Sequence, residues 1–458
     1  MQSENKMGVQ PVGRLLLSMA LPMMLSMIVQ ALYNVVDSIF VSRLSEAALT
    51  AVTLAFPIQS LMIAFGSGLG VGINALLSKS LGQNDREQAN QAARHGIVLF
   101  VAVYVLFLGI GVLAAHPFMA SQTSDAAIAA DGAAYLSIVC GFSFGLFGQF
   151  LFERLLQSTG RTVYSMITQM VGAIINIILD PILIFGLFGA PRLGVAGAAA
   201  ATVFGQFCAT VLAVYFNLTR NPDLSLPVRR FRFEPRVLGN ILSVGIPSVI
   251  MLSISSLMNL GMNAILISFS STAVAVFGVY FKLQSFVFMP VIGLNNGMVP
   301  ILAYNFGAGK KERMQKTIKL SIIIAFCIML LGTVAAQRFP ETMLSMFDAS
   351  DEMLAIGVPA LRIISIHFPI AAVSIVFSSV FQALGNGIYS MLVSFCRQLV
   401  ALLPLAYVFA RLGGLDLLWW AFVLAEVVSL VLCLLLFAHT LRKPQWGAIG
   451  QRPLAHSA

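Results

Sequence analysis

Apolar residues in this chain come in long runs, broken only by short polar stretches rich in Gly, Pro, Arg and Lys. Such runs occupy residues 14–42, 50–78, 91–115, 132–155, 163–188, 193–218, 237–268, 272–303, 314–337, 354–385, 388–411 and 414–441. Each is long enough to cross the hydrocarbon core of a bilayer, which takes about 20 residues of helix. None alternates with a period of two, so the runs predict helices and not the strands of an outer-membrane barrel. The first is too long for the apolar core of a signal peptide and has no small-residue cleavage site after it, so it is expected to stay in the membrane. The pattern predicts an all-α integral membrane protein with twelve transmembrane helices.

The pattern also repeats. At an offset of 225 residues Leu16–Pro22 (LLSMALP) falls on Ile241–Pro247 (ILSVGIP), Ile58–Ser60 (IQS) on Leu283–Ser285 (LQS), and Leu81–Gly82 on Phe306–Gly307. The stretch Gln157–Met166 (QSTGRTVYSM) falls on Gln382–Met391 (QALGNGIYSM) at the same offset. Six spans per half give both halves the same orientation in the membrane. Two six-helix lobes related by a pseudo-twofold axis along the membrane normal follow, and repeats of this kind hold substrate between the halves and rock one against the other. The expected divisions are an N-lobe at 1–218, a cytoplasmic linker at 219–236, a C-lobe at 237–441 and a cytoplasmic tail at 442–458.

Composition agrees with a membrane protein: 59% of residues are hydrophobic and 10% charged, with a mean hydropathy of +0.91. A net charge of +9 raises nucleic acid as a partner, but the positions of the basic residues argue against it. Of 27 Lys and Arg, 20 lie in the termini and even-numbered loops, 5 in or beside odd-numbered loops and 2, Lys282 and Arg397, inside spans. The excess places both termini in the cytoplasm and orients the chain against the anionic leaflet. The five cysteines lie singly inside apolar runs, without metal-ligand spacing, and read as core residues.

Against this background the run Asn176–Phe185 (NIILDPILIF) stands out, because it carries an aspartate and a proline in an apolar span. A charge at mid-bilayer costs about 2.5–3.5 kcal/mol or more, so such residues face an interior or a watery cavity. Asn176 lies one turn before Asp180 on the same face, and Pro181 withholds a backbone donor. The first span has a similar stripe, with Gln30, Tyr33, Asn34 and Asp37 at helical spacing and Pro22 as a place to bend. At the repeat offset Asp37 meets Met262 and Asp180 meets Leu405, so one half alone keeps the acids. Two carboxylates in one pocket cannot both be ionised without cost. That makes Asp37 and Asp180 candidates for proton exchange, and with Asn176 they equally suit Na+, a hard cation that takes oxygen ligands.

The remaining buried ionisable groups are less specific. Lys282, Arg397 and Glu426 are expected to pack or to pair among themselves, with Lys282 also a candidate on the substrate path. His367 reads as a satisfied core histidine. The glycines of Gly66–Gly72 (GSGLGVG) match no phosphate-binding pattern and are expected to serve close helix packing. No ATP-binding domain and no H-E-x-x-H is present, so the reading is of a carrier driven by an ion gradient, with no cofactor, and not of an enzyme.

The runs Asn176–Pro181 (NIILDP), Arg154–Arg161 (RLLQSTGR) and Tyr280–Pro290 (YFKLQSFVFMP), with Leu81–Gly82 and its mate Phe306–Gly307, resemble the multidrug and toxic compound extrusion (MATE) transporters, in the MepA-like bacterial branch. The resemblance runs from about residue 11 to residue 441. It implies efflux of bulky amphipathic organic cations in exchange for H+ or Na+, by a monomer in the bacterial inner membrane. It also implies that Asp37, Asn176, Asp180, Tyr135 and Thr202 form the cation site and that Pro22 is the hinge. Gln30, Asn34, Met262, Lys282 and Gln284 are the candidates for substrate contact, in a cavity that 34 Phe and 21 Met would suit. Some branches keep a carboxylate in the seventh helix; Pro247–Leu260 has none, which argues against a coupling site in the C-lobe. The rival expectation is a flippase for lipid-linked precursors, which would need a strongly cationic cavity.

Overall fold

The computed structural model describes residues 5–226, 231–347 and 349–442. The tail from residue 443, and Arg229 and Arg230 of the expected linker, lie outside the described residues. The helices are α1 (Lys6–Val9), α2 (Val12–Leu44), α3 (Glu46–Gly82), α4 (Arg86–Leu113), α5 (Ala115–Gln122), α6 (Ala126–Gly141), α7 (Phe144–Ser158), α8 (Thr162–Phe185) and α9 (Val195–Arg220). The second half follows with α10 (Pro235–Leu266), α11 (Ser271–Gly307), α12 (Lys311–Arg338), α13 (Pro340–Ser345), α14 (Asp351–Ser365), α15 (Phe368–Ala383), α16 (Gly387–Phe395), α17 (Leu403–Leu418) and α18 (Trp420–Arg442). No strand occurs among the described residues.

Ten single helices are long and apolar enough to cross a membrane, and two bent pairs make twelve. The fourth and tenth spans were expected as single runs. Instead α6 and α7 meet at 43° and α14 and α15 at 51°. The second bend has a local cause, since Pro369 in the first turn of α15 has no N–H to continue the ladder. The first bend lies at Gly141–Ser143, at the start of the string Gly141–Gly145 (GFSFG), which has the letters of a hydrolase nucleophile elbow. Helix precedes it where that motif needs a strand, and the Ser143 hydroxyl donates to the Cys140 carbonyl at 2.7 Å.

The repeat survives in the helix bounds. At the offset of 225, α3 and α11 start and end at equivalent residues, as do α4 and α12, while α8 and α16, and α9 and α18, start at equivalent residues. N-caps repeat too: Ser45 accepts from the Ala48 N–H and Ser270 from the Ala273 N–H, each at 3.0 Å.

The chain forms two compact units, one of residues 25–245 and one of residues 1–24 with 246–458. Both boundaries fall inside helices close to repeat-related prolines: α2 changes unit after Met24, just past Pro22, and α10 after Gly245, just before Pro247. Within the second unit the segment before α2 is tied down by polar side chains. Arg313 donates to the Met7 and Gln10 carbonyls at 3.0 and 2.7 Å, and Lys310 to the Gly8 carbonyl at 3.0 Å. Within the first unit the segment before α10 is held by α4. Asn90 accepts from the Ser225 N–H at 2.8 Å, and His95 Nε2 from the Glu234 N–H at 3.0 Å.

The small residues of α3 act as expected. A Cβ on Gly72 would collide with the Ile241 carbonyl of α10, and one on Gly66 would lie 2.5 Å from the Phe150 ring. All five cysteines are free. Cys140 and Cys433 are buried, but Cys327 is exposed on α12, which corrects the reading of all five as core residues.

Candidate functional site

Helices α8 and α9 pack along each other, and α6 packs on both α9 and α3. The α8–α9 approach rests on small residues. A Cβ on Gly205 would lie 2.7 Å from the Gly172 carbonyl and 3.3 Å from the Asn176 Cβ. This contact brings Asn176 against Thr202. With its amide oxygen toward α9, Asn176 accepts from the Thr202 hydroxyl at 3.2 Å and the Thr202 N–H at 3.1 Å, while its nitrogen donates to Asp180 Oδ2 at 3.3 Å. Asp180 is wholly buried, Asn176 and Thr202 nearly so. Pro181 follows directly and leaves the Ile177 carbonyl without its usual donor, so the helix around the carboxyl is polar on its backbone as well.

The second acid arrives from α2. Asp37 is half-buried, and its carboxyl lies within hydrogen-bonding reach of that of Asp180. Carboxylates are acceptors only, so two of them bond to each other only when a proton lies between them. Asp37 Oδ1 is in addition buried with no donor. Tyr33 and Tyr135 share the electrostatic field of both acids, and the Tyr135 hydroxyl donates to Gln59 Oε1 of α3 at 3.5 Å. The result is an oxygen-rich chamber inside residues 25–245, built from five different helices. It can take a proton on the acid pair, and its carboxyl, amide and hydroxyl oxygens are the donor types a hard cation takes.

Asp37, Asn176, Asp180, Thr202 and Tyr135 are therefore brought together. Gln59 and Tyr33 belong with them; Tyr33 was read as part of the polar stripe of the first span but not as a cation-site residue, and Gln59 was not singled out. Gln59 had one signal, since its repeat mate Gln284 sits in the same short motif. Of the substrate candidates, Gln30 is half-buried and Asn34 exposed on α2. The other three lie in the other compact unit. Met262 is wholly buried, Gln284 half-buried, and exposed Lys282 holds its Nζ 5.8 Å from the centre of the Phe347 ring. Pro22 sits within α2, which runs as one helix through it.

Other buried ionisable groups have distinct partners. Arg397 pairs with Glu426 at 3.3 Å. His367 is buried with Nδ1 on the Ile364 carbonyl at 2.6 Å, as a core histidine should be. Glu153 accepts from Gln149, Thr168 and Gln169 at 3.0, 3.0 and 2.6 Å, which satisfies both carboxylate oxygens.

Comparison with known proteins gives the family of the chain. The MatE family model matches residues 22–182 and again 247–408, once per half. The chain is 27% identical over 433 residues to multidrug export protein MepA of Staphylococcus haemolyticus, covering 92% of each chain. It is 26% identical over 430 residues to an FAD transporter of Shewanella oneidensis, covering 92% of this chain and 94% of that one. Its fold matches the outward-facing conformation of a multidrug resistance MATE family transporter with a TM-score of 0.90, at 24% identity, over 99% of this chain and 100% of that one.

Proposed function

Because the chain belongs to the MatE family of membrane transporters, we propose that it exports amphipathic organic cations in exchange for H+ or Na+ bound at Asp37 and Asp180. The observation that carries this reading is the buried acid pair with its unsatisfied Asp37 oxygen. A group that is costly to bury half-satisfied is retained where its occupancy changes during work. The two relatives, one a multidrug exporter and one an FAD transporter, have nearly equal identity to this chain. Identity alone therefore leaves the cargo open, and the acidic pocket supports a cationic one.

In the exchange cycle the empty pair is negative and favours the cationic substrate. Binding H+ or Na+ neutralises it, and α2 bends at Pro22, where the Ser18 carbonyl lacks the N–H that any other residue would supply. That change ejects the substrate outward. Loss of the ion to the cytoplasm restores the substrate-binding form. Ion and substrate must therefore weaken each other's binding by the same factor. The carrier works as a monomer in a bacterial inner membrane, and the distribution of basic residues supports a cytoplasmic position for both termini.

The test is ethidium efflux from vesicles under separately imposed pH and Na+ gradients. Wild type responds to at least one of them, and Asp37→Asn and Asp180→Asn lose about tenfold or more of that response, the equivalent of about 1.4 kcal/mol. Normal efflux by both variants under either gradient would end the proposal. Movement of a lipid-linked precursor with no ethidium efflux would favour the flippase instead.

A further inference from the structure

Of the two cations inside spans, Arg397 is paired with Glu426, while Lys282 of α11 is exposed and pairs with no carboxylate among the described residues. Its Nζ lies instead 5.8 Å from the centre of the Phe347 ring, in the turn after α13. From Ser271 to Phe286 the exposed residues of α11 are Ser271, Ala275, Gly278, Lys282 and Phe286. They follow one another at steps of four, three, four and four, so they form one narrow face of the helix.

That face does not suit lipid. In the middle of α12 the exposed residues are Ile323, Phe326, Cys327, Leu330, Leu331 and Val334, all apolar, as contact with hydrocarbon requires. The face on α11 has a serine, two small residues and a charge where such side chains would stand. Of the ten single spans α11 is also the most enclosed: 67% of an apolar 18-residue stretch is buried, against 28–44% in the other nine. Lys282 lies eleven residues into the helix, about 16 Å along its axis. An ammonium turned to lipid at that depth would carry the cost of a charge in hydrocarbon. The face therefore borders water.

The space beside the ammonium is open. A Cβ on Gly278, one turn before Lys282, would meet nothing within 4 Å, and Phe286, one turn after it, is 41% exposed. An ammonium has three donors and no acceptor, and the Phe347 ring engages its charge without a hydrogen bond. The donors are left for an anion, which takes charge-assisted bonds from them, while Phe286 offers a ring on which a flat apolar body can pack. The repeat confines this charge to one half. At the offset of 225 Lys282 falls on Pro57, as Asp37 and Asp180 fall on Met262 and Leu405. The first half keeps the intramembrane aspartates, and the second keeps the lysine.

We infer that Lys282 determines specificity by binding a carboxylate on the cargo, so that amphipathic cations which also carry an acidic group are preferred to their esters. The inference rests on the organic-cation reading above, but binding is measured without transport. Rhodamine B carries a free carboxylate, and its ethyl ester keeps the same cationic ring system without that charge. Fluorescence polarisation of each dye with the full chain in detergent gives its Kd. Wild type is expected to bind the acid about tenfold more tightly than the ester, as one charge-assisted hydrogen bond allows. Lys282→Gln is expected to abolish that preference and leave ester binding unchanged, and Lys282→Arg to keep it. No preference for the acid in wild type, a preference that survives in Lys282→Gln, or equal weakening of both dyes overturns the inference. A preference that Lys282→Gln abolishes, in a protein that moves no ethidium under any gradient, overturns the antiport reading and leaves Lys282 its role.

Discussion

Thr202 shows how one residue sets the acid pair. Its N–H, which can only donate, fixes which way the Asn176 amide faces, its hydroxyl adds a second bond, and that orientation gives Asp180 Oδ2 a donor where it would otherwise meet a second acceptor. Thr202→Val keeps the shape and removes the bond. The expected cost is about 1 kcal/mol, or about fivefold, in the H+ or Na+ concentration that half-activates ethidium efflux, with Thr202→Ser restoring it. An unchanged half-activating concentration would mean that Asn176 is held by other means. At this scale the sequence was informative about Asp37, Asp180 and Asn176, because acids and amides at helical spacing contradict the apolar run around them. Gln59 gave no such contrast, and Tyr33 stood out only as one member of the polar stripe of the first span. Their membership depends on which neighbour faces them, and periodicity within one helix carries no record of that.

At the scale of helices, the two tied segments are the feature that no pattern foretold. The stretch before α10 is held by three side chains of α4: Asn90, His95 and Arg94, the last of which reaches the Ser225 carbonyl at 3.5 Å. His95 can receive the Glu234 N–H at Nε2 only while Nδ1 bonds the Gln91 carbonyl, 2.8 Å away. His95→Leu removes both bonds. Losing about 1.4 kcal/mol of local stability is expected to speed trypsin cleavage after Arg232 about tenfold, read by gel from native protein in detergent. A cleavage rate equal to wild type would show that the segment is held elsewhere. Helix existence was legible in run lengths, and helix ends in the repeat. The bends at Gly141–Ser143 and Pro369 were not, since an apolar run reads the same whether it is straight or broken by some 40–50°.

For the whole molecule, the count of basic residues predicts that both termini lie in the cytoplasm. A fluorescent protein fused after residue 442 should therefore fold and emit, and alkaline phosphatase fused at the same point should stay inactive. The opposite pair of results would invert every span. The class of molecule was legible without coordinates: twelve apolar runs, a 225-residue repeat and intramembrane aspartates confined to one half, because bilayer thickness and the cost of burying charge act on any chain whatever its fold. It took the packed fold to show that Asp37 of α2 and Asp180 of α8 meet, and that α2 and α10 each change unit beside a proline. Those facts depend on which helix faces overlap, and contacts between residues far apart in the chain are made by packing and leave little trace in local pattern.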